Sequence, residues 1–177
     1  MLYIILGIIF VIFIILIIIS ISYNKFRFAI IKIDEAENNI EVLLQKKIEL
    51  LDRTRPIIMK ELKLEEFLDE IEFLKESKIN HFEMNNSLKD CHTVLVKTLD
   101  DNEKLLKSET LVSVVEEINS NEEAIVGCTK FYNDSVVEFN RLVGAFPSNI
   151  VAFLWRYKRK EFYNNEKREM YEILNEK

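Results

Sequence analysis

The chain has 177 residues, of which 49% are apolar, and a formal net charge of −6. The negative charge argues against nucleic acid as a partner, because proteins that bind it neutralise phosphates with Lys and Arg. Three glycines and two prolines are too few for the many turns of a β-sandwich or an α/β domain, so the composition predicts an all-α fold with long helices.

An uncharged apolar segment, LYIILGIIFVIFIILIII, occupies residues 2–19. At about 1.5 Å per residue, a helix of this length spans roughly 27 Å, close to the thickness of the hydrocarbon core of a bilayer. The alternative is a cleaved signal peptide, which needs a basic segment before a shorter apolar run and a small-residue cleavage site after it. The sequence has neither, so we expect a transmembrane anchor over residues 1–23.

The basic residues near this segment all lie on one side of it. Lys25, Arg27 and Lys32 follow the apolar run, and no basic side chain precedes it. Segments rich in Lys and Arg stay on the cytoplasmic side of a membrane helix. We therefore expect a single-pass protein with the bulk of the chain in the cytoplasm.

Residues 24–53 have apolar side chains every three or four positions, with one polar interruption at Lys47. We expect one helix with a boundary or a kink at Pro56, because proline has no backbone N–H and restricts the residue before it. Residues 57–79 give a second helical pattern with a glutamate-rich face. Carboxylates at helical spacing are able to bind a metal, but such a face is usually solvated, so we expect no metal and no other cofactor.

Asn80 and the glutamate three residues later have capping spacing, which predicts a third helix over residues 81–101. His81 and His92 are the two histidines of the chain. Their separation places them about 16 Å apart along a helix, too far to share one ion. Cys91 adjoins His92, but neighbouring residues on a helix point about 100° apart, so we expect no catalytic pair.

A helical pattern returns over residues 104–118. The S-x-x-E box at residues 120–123 precedes another apolar-periodic run, so we predict that a separate helix begins there and continues to residue 143. Cys128 lies in this helix, far from Cys91 in the sequence. We expect two reduced thiols, and a disulfide is the alternative.

Near the C-terminus we expect a turn at Phe146 and Pro147 and a short amphipathic helix that Ser148 caps. Residues 156–168 carry six basic and two acidic residues, a net charge of +4. Basic and aromatic side chains suit the surface of an anionic leaflet, at about 1 kcal/mol per Lys or Arg. The side chains that we expect on the membrane surface are Ile150, Phe153, Leu154, Trp155, Arg156, Tyr157, Lys158, Arg159 and Lys160. The alternative is that the apolar side chains cap the helical core and the charges are solvated.

Four motifs occur in order: YNKF after the apolar run, ENNIEVLLQKK from residue 37, NEEAIVGCTKFYNDSVVEFN from residue 121 and FPSNIVA from residue 146. Together they resemble the LemA family, a group of bacterial membrane proteins. The departures are Glu122 and Glu123, where that family has Asn-Arg, and the displaced Pro56. The motif side chains that we expect to serve a partner or the structure are Tyr132, Asn133, Asp134, Asn140, Phe146, Pro147 and Asn149. Of these, we expect Asn133 and Asp134 on an exposed or partner-facing side, and the alternative is an internal hydrogen-bond network to a neighbouring helix.

The resemblance implies one N-terminal membrane helix and an antiparallel helical bundle. Together with the residue patterns, it leads us to expect a four-helix-type bundle over residues 24–145 and a tail over residues 146–177 with a short amphipathic helix. It implies no established enzymatic activity. We therefore expect a non-enzymatic scaffold or protein-interaction module in the inner membrane of a bacterial cell. Its expected partners are the lipid bilayer and an unidentified protein, with no nucleic acid.

Two other functions are open. One is an accessory to a membrane enzyme or transporter, or an enzyme with a carboxylate site between helices. The other is a self-assembling coiled coil, but the heptads are broken at Asp34, Lys47 and Pro56, which argues against extended assembly.

Overall fold

The computed structural model describes residues 1–77 and 79–163. Within these ranges the structure is helical and contains no strand, which confirms the predicted all-α class. Five α-helices and one 3-10 turn follow in order: α1 (Leu2–Leu62), α2 (Glu70–Glu76), α3 (His81–Asp100), the 3-10 turn (Leu105–Lys107), α4 (Glu109–Gly144) and α5 (Ser148–Trp155).

Helix α1 is long and apolar enough to cross a membrane, and its side chains are exposed over residues 1–18. Of the boundary or kink predicted at Pro56, the boundary is wrong, because α1 continues through this residue to Leu62. Pro56 is exposed, while Thr54 and Ile58 on either side of it are fully buried. Packing of this buried face outweighs the loss of one backbone hydrogen bond.

Helix α1 ends in a turn with a left-handed residue. Lys63 has φ 54°, and the N–H of Leu64 donates to the carbonyl of Met59 at 3.0 Å. This is the long-range bond of a Schellman motif, which satisfies carbonyls that the last helical turn leaves free.

The predicted helix over residues 57–79 is only partly correct, since its first part belongs to α1 and only α2 is helical after residue 63. Arg55 holds the intervening segment. Its guanidinium donates to the carbonyl of Phe67 at 2.9 Å, to Asp69 at 2.8 Å and to Glu72 at 3.0 Å. These bonds tie the non-helical residues before α2, and α2 itself, to Arg55 of α1.

The predicted start of α3 is confirmed, because Asn80 accepts a hydrogen bond from the backbone N–H of Glu83 at 2.9 Å. The predicted start at residues 120–123 is wrong, since α4 passes through them without a break. Asn121 is buried there, and its Nδ2 donates to the carbonyl of Leu43 at 3.0 Å. The capping residues of the box therefore lie inside a helix that packing holds together.

The chain divides into two compact units, to both of which α1 and α4 contribute. The terminal unit contains residues 1–36 and the described residues from 130 onward, and the middle unit contains residues 37–129. The core of the terminal unit consists of Phe26, Ala29, Ile33, Val136, Phe139, Val151 and Ala152. Buried apolar residues of the middle unit include Ile40, Leu44, Ile48, Leu51, Leu88, Leu95, Ile118 and Ile125.

Candidate functional site

Helix α5 is held to the end of α4 by the hydroxyl of Ser148. This hydroxyl lies 2.7 Å from the carbonyl oxygen of Leu142 and 2.9 Å from that of Ala145. Ser148 is thus the first helical residue, and the expectation that it caps α5 is wrong, because its hydroxyl binds carbonyls that precede the helix. The buried face of α5 consists of Ser148, Val151 and Ala152.

An aromatic cluster joins α1, α4 and the segment after α5. The ring of Phe26 lies 5.5 Å from that of Phe139 and 4.8 Å from that of Tyr157, measured between ring centroids. Tyr23 and Trp155 form a further pair at 5.5 Å. Aromatic pairs at such distances contribute about 0.5–1.5 kcal/mol each beyond their burial. They hold α5 beside α1 just after the exposed apolar run.

The chain reverses direction after α5 at Arg156, which has φ 58°. The N–H of Tyr157 donates to the carbonyl of Ala152 at 2.9 Å, which closes the last turn of the helix. The following residues, 157–163, are called the basic segment below. They lie along α4, on side chains of the predicted motif.

Asn140 binds the main chain of Lys160 with both ends of its amide. Its Nδ2 donates to the Lys160 carbonyl at 2.9 Å, and its Oδ1 accepts from the Lys160 N–H at 2.8 Å. In a β-sheet, the N–H and the carbonyl of one residue form the same pair of hydrogen bonds with a neighbouring strand. Asn140 therefore binds the main chain of the basic segment and not its side chains. The guanidinium of Arg159 lies over Gly144, where the C-terminus of α4 favours a cation.

Asn133 and Tyr132 hold the end of the same segment. The Oδ1 of Asn133 accepts from the N–H of Tyr163 at 2.9 Å, and the Tyr132 hydroxyl donates to the carbonyl of Glu161 at 3.4 Å. Asn133 is fully buried, so the expectation that it is exposed is wrong; Asp134 is exposed. The Nδ2 of Asn133 has no hydrogen-bond partner within residues 1–77 and 79–163.

The geometry shows that the basic segment is extended and antiparallel to α4. Asn133 and Asn140 are two helical turns apart, about 10.5 Å. They bind residues 163 and 160, which are about 10 Å apart in an extended chain. We call Tyr132, Asn133 and Asn140 the clamp. No sequence signal in residues 160–163 indicates it, because the clamp contacts only main-chain atoms there.

The opposite face of α5 is apolar and exposed. The exposed fractions are 84% for Phe153, 80% for Phe146, 57% for Leu154, 48% for Ile150 and 45% for Trp155. The other residues singled out in the sequence divide between exposed Asn149, Arg156, Lys158 and Arg159 and half-buried Pro147, Tyr157 and Lys160. The structure thus brings together most of the predicted surface residues, whereas Tyr157 packs inside the aromatic cluster.

A second polar cluster lies in the middle unit, around Lys47. Lys47 is fully buried and forms an ion pair with Glu122, a residue that also lines an open groove. Burial lowers the pKa of Lys47, although Glu122 opposes this. Burial, with a contribution from the Lys47 charge, also lowers the pKa of His92, whose Nε2 is buried without a partner in the part of the chain that the structure describes.

This cluster offers no activated nucleophile. Burial and nearby carboxylates raise the pKa of the Cys91 thiol to about 11, so the thiol stays protonated at neutral pH. Among residues 1–77 and 79–163, no three His, Cys, Asp or Glu side chains are grouped as metal ligands would be. The sequence indicated Lys47 only as the polar break in an apolar stripe. That break, together with a glutamate on another helix, was the available signal for a buried ion pair.

The comparisons with known proteins give one match. The model of a protein family described as the LemA family matches residues 36–173, well over half of the chain. Neither the curated proteins nor the solved structures contain a match to the chain. The matched range includes the middle unit, the clamp and α5, and this confirms the resemblance that the motifs carry.

Proposed function

The chain belongs to the LemA family, and we propose that it is a single-pass membrane protein that holds a helical domain at the membrane for protein partners, without catalytic activity of its own. The observation that carries this proposal is the continuity of α1. One helix contains both the exposed apolar run and the buried core residues Phe26, Ala29 and Ile33.

The exposed apolar run of α1 requires an environment other than water. Burial of one Leu, Ile or Phe side chain is worth about 1.5–3 kcal/mol, so solvation of the whole run would cost on the order of 30 kcal/mol. A bilayer removes this cost, and the length of the run suits its thickness. Lys25 and Arg27, both exposed, follow the run and favour a cytoplasmic location of the folded part, at the inner membrane of a bacterium.

For the folded part we propose an antiparallel four-helix-type bundle. Contacts within the middle unit support it: Leu43 of α1 is bound by Asn121 of α4, and Arg53 lies 3.7 Å from Glu117. Residues further along α1 thus meet residues earlier in α4, as expected for antiparallel helices. Exposed apolar side chains of this unit, such as Val42 and Phe73, offer contacts to a protein partner.

The buried Lys47–Glu122 pair favours the alternative, an enzyme or transport accessory with a polar site between helices. Variants separate the two proposals. In a scaffold, Lys47→Met together with Glu122→Met retains function whenever the protein still folds, since paired burial of charge is replaceable by apolar packing. In an enzyme or accessory the same variant folds but loses function.

Protease accessibility tests the topology. A tag at the C-terminus should be protected in intact cells and cleaved in inside-out membrane vesicles, and a tag at the N-terminus should give the opposite pattern. Cleavage of the C-terminal tag in intact cells would place the domain outside and overturn the cytoplasmic assignment.

Photo-crosslinking tests the partner role. A photoreactive residue at Val42 or Phe73 in native membranes should give discrete adducts, whereas the same residue at buried Leu88 should give none. Adducts from neither exposed position above the unirradiated background would count against an interaction module.

A further inference from the structure

Helix α5 is apolar on two opposite faces. Val151 and Ala152 pack into the core of the terminal unit, whereas Ile150, Phe153 and Leu154 are exposed on the other side. A helix that is apolar all round is normally covered all round. The outward face of α5 therefore requires a second cover.

The position of α5 indicates what surrounds its outward apolar face. Trp155 contacts Tyr23, which follows the exposed apolar run of α1 by only a few residues. Tyr and Trp side chains concentrate at the depth where a bilayer meets water. The exposed face of α5 is thus continuous with the surface that the proposed membrane span offers to lipid.

The charge around α5 indicates the lipid. Residues 1–33 contain three basic and no acidic side chains, and residues 139–160 contain five basic and no acidic side chains. These stretches carry +8, which leaves −6 − (+8) = −14 for the rest of the chain. Arg156, Lys158 and Arg159 are exposed beside the apolar face. This arrangement is complementary to a surface of anionic headgroups.

The clamp fixes the position of these charges. Asn140 binds both main-chain groups of Lys160, so the residues between α5 and Lys160 are held at both ends. Fixing a basic segment before it binds reduces the entropy that binding costs. The side-chain amides of Asn133 and Asn140 therefore act as positioning groups for the surface next to them.

We propose that α5, with Phe146 and the exposed basic residues Arg156, Lys158 and Arg159, is a second membrane attachment that lies in the interface of an anionic leaflet. The inference rests on the proposed membrane anchoring by α1. A protein partner on the same face is the competing outcome.

Trp155 is the only tryptophan of the chain, so its fluorescence reports this site alone. The experiment uses the full chain in nanodiscs of phosphatidylcholine with or without phosphatidylglycerol, made from normal or chain-brominated lipids. Bromine quenches tryptophan at contact. We expect strong quenching and blue-shifted emission in the anionic nanodiscs, with weaker quenching in uncharged nanodiscs and at high salt.

A triple variant tests the charges. Arg156→Gln with Lys158→Gln and Arg159→Gln should remove the preference for anionic lipid, since about fivefold per residue makes a roughly 100-fold change in the docked-to-undocked ratio. The matched control removes three exposed lysines of the middle unit and should quench like the wild type: Lys97→Gln, Lys104→Gln and Lys107→Gln. Phe153→Ser should weaken quenching in both kinds of nanodisc.

The outcomes are distinguishable. A chain that does not co-elute with nanodiscs overturns the anchoring and the docking together. A chain that co-elutes, with Trp155 unquenched by brominated lipid, overturns the docking alone and leaves the face to a protein partner. Equal quenching in charged and uncharged nanodiscs, unchanged by the triple variant, overturns the recognition of anionic lipid.

Discussion

Lys47 occupies a position of the α1 stripe where an apolar side chain is expected, and it is buried in an ion pair with Glu122. A buried ion pair is weak evidence for stability, because desolvation offsets much of the attraction. Loss of one partner is different, since it leaves an unpaired charge in the core. The sequence allowed the break in the stripe to be seen, but the partner lies 75 residues away and only the fold brings it near.

The first prediction concerns this pair. Glu122→Gln should lower the free energy of unfolding by about 3 kcal/mol, because Lys47 is then buried without a counter-charge. Thermal and urea unfolding of the full chain in detergent, followed by circular dichroism, measures the change. The matched control is Glu123→Gln, an exposed neighbour whose loss should change stability by no more than about 0.5 kcal/mol. Equal effects of the two variants would contradict the role of the pair.

The second prediction concerns acid. The pKa of His92 lies below its ordinary value of 6.5 because of burial and the Lys47 charge, despite the opposing Glu122. Below pH 6.5 the unfolded chain therefore binds a proton at this residue that the folded chain does not, so stability falls as the pH falls toward the folded pKa. His92→Gln should reduce the loss of thermal stability between pH 7 and pH 5.

His81→Gln is the matched control, as the other histidine of the chain. This variant keeps His92 and therefore keeps the loss of thermal stability that His92 causes between pH 7 and pH 5. If both variants reduce the acid sensitivity equally, or if neither does, His92 is not the group responsible.

At the scale of the helices, a capping motif predicted the start of a helix correctly where its own capping hydrogen bond is formed. The capping bond of Asn80 joins residues three apart, and the sequence was sufficient to predict it. The box at residues 120–123 failed because buried Ile118 and Ile125 continue the same face across it. The helix boundary predicted at Pro56 is absent for a similar reason, because Pro56 lies on the exposed side of α1. Helix α3 agrees with the helix predicted over residues 81–101, and α5 agrees with the short helix predicted after Pro147, although its expected cap by Ser148 is wrong.

The third prediction follows from the proline. Pro56→Ala restores a backbone N–H inside α1 and should raise the free energy of unfolding by about 2 kcal/mol, the helix-interior cost of about 3 less about 1 for the stiffer unfolded chain. The same unfolding experiment measures it, with exposed Lys60→Ala as control. A destabilised Pro56→Ala chain would show that α1 requires the proline at this point.

The fourth prediction concerns the clamp. Asn140→Ala removes both hydrogen bonds to Lys160 and should release the basic segment, so trypsin should cut after Lys158 and Arg159 several-fold faster. Cleavage after exposed Lys104 in the same chain is the internal control and should not change. Unchanged cleavage at all sites would show that the aromatic cluster alone holds the segment.

At the scale of the whole molecule, the described side-chain contacts fall into two units, each with its own core. The long apolar run of α1 and the helical class could be read from composition and length. The division could not, because the same two helices pass through both units and only their partners differ. The clamp could not be predicted from the sequence either, because it binds main-chain atoms and no particular side chain.

The fifth prediction tests the division. Phe26→Ala should cost about 3–5 kcal/mol and Leu88→Ala about 2–5 kcal/mol, since both side chains are fully buried. Hydrogen exchange followed by mass spectrometry should show lost protection first in the terminal unit for Phe26→Ala and first in the middle unit for Leu88→Ala. A uniform loss across the chain in both variants would indicate one cooperative unit.

The clamp has a consequence for the way this protein tolerates mutation. Its bonds end on the N–H and carbonyl of Lys160, the carbonyl of Glu161 and the N–H of Tyr163. Nineteen of the twenty amino acids offer these groups at positions 160 and 163, and proline alone lacks the N–H. Substitutions other than proline at positions 160 and 163 therefore leave these bonds available, so the course of the segment along α4 does not depend on which side chains those two positions carry.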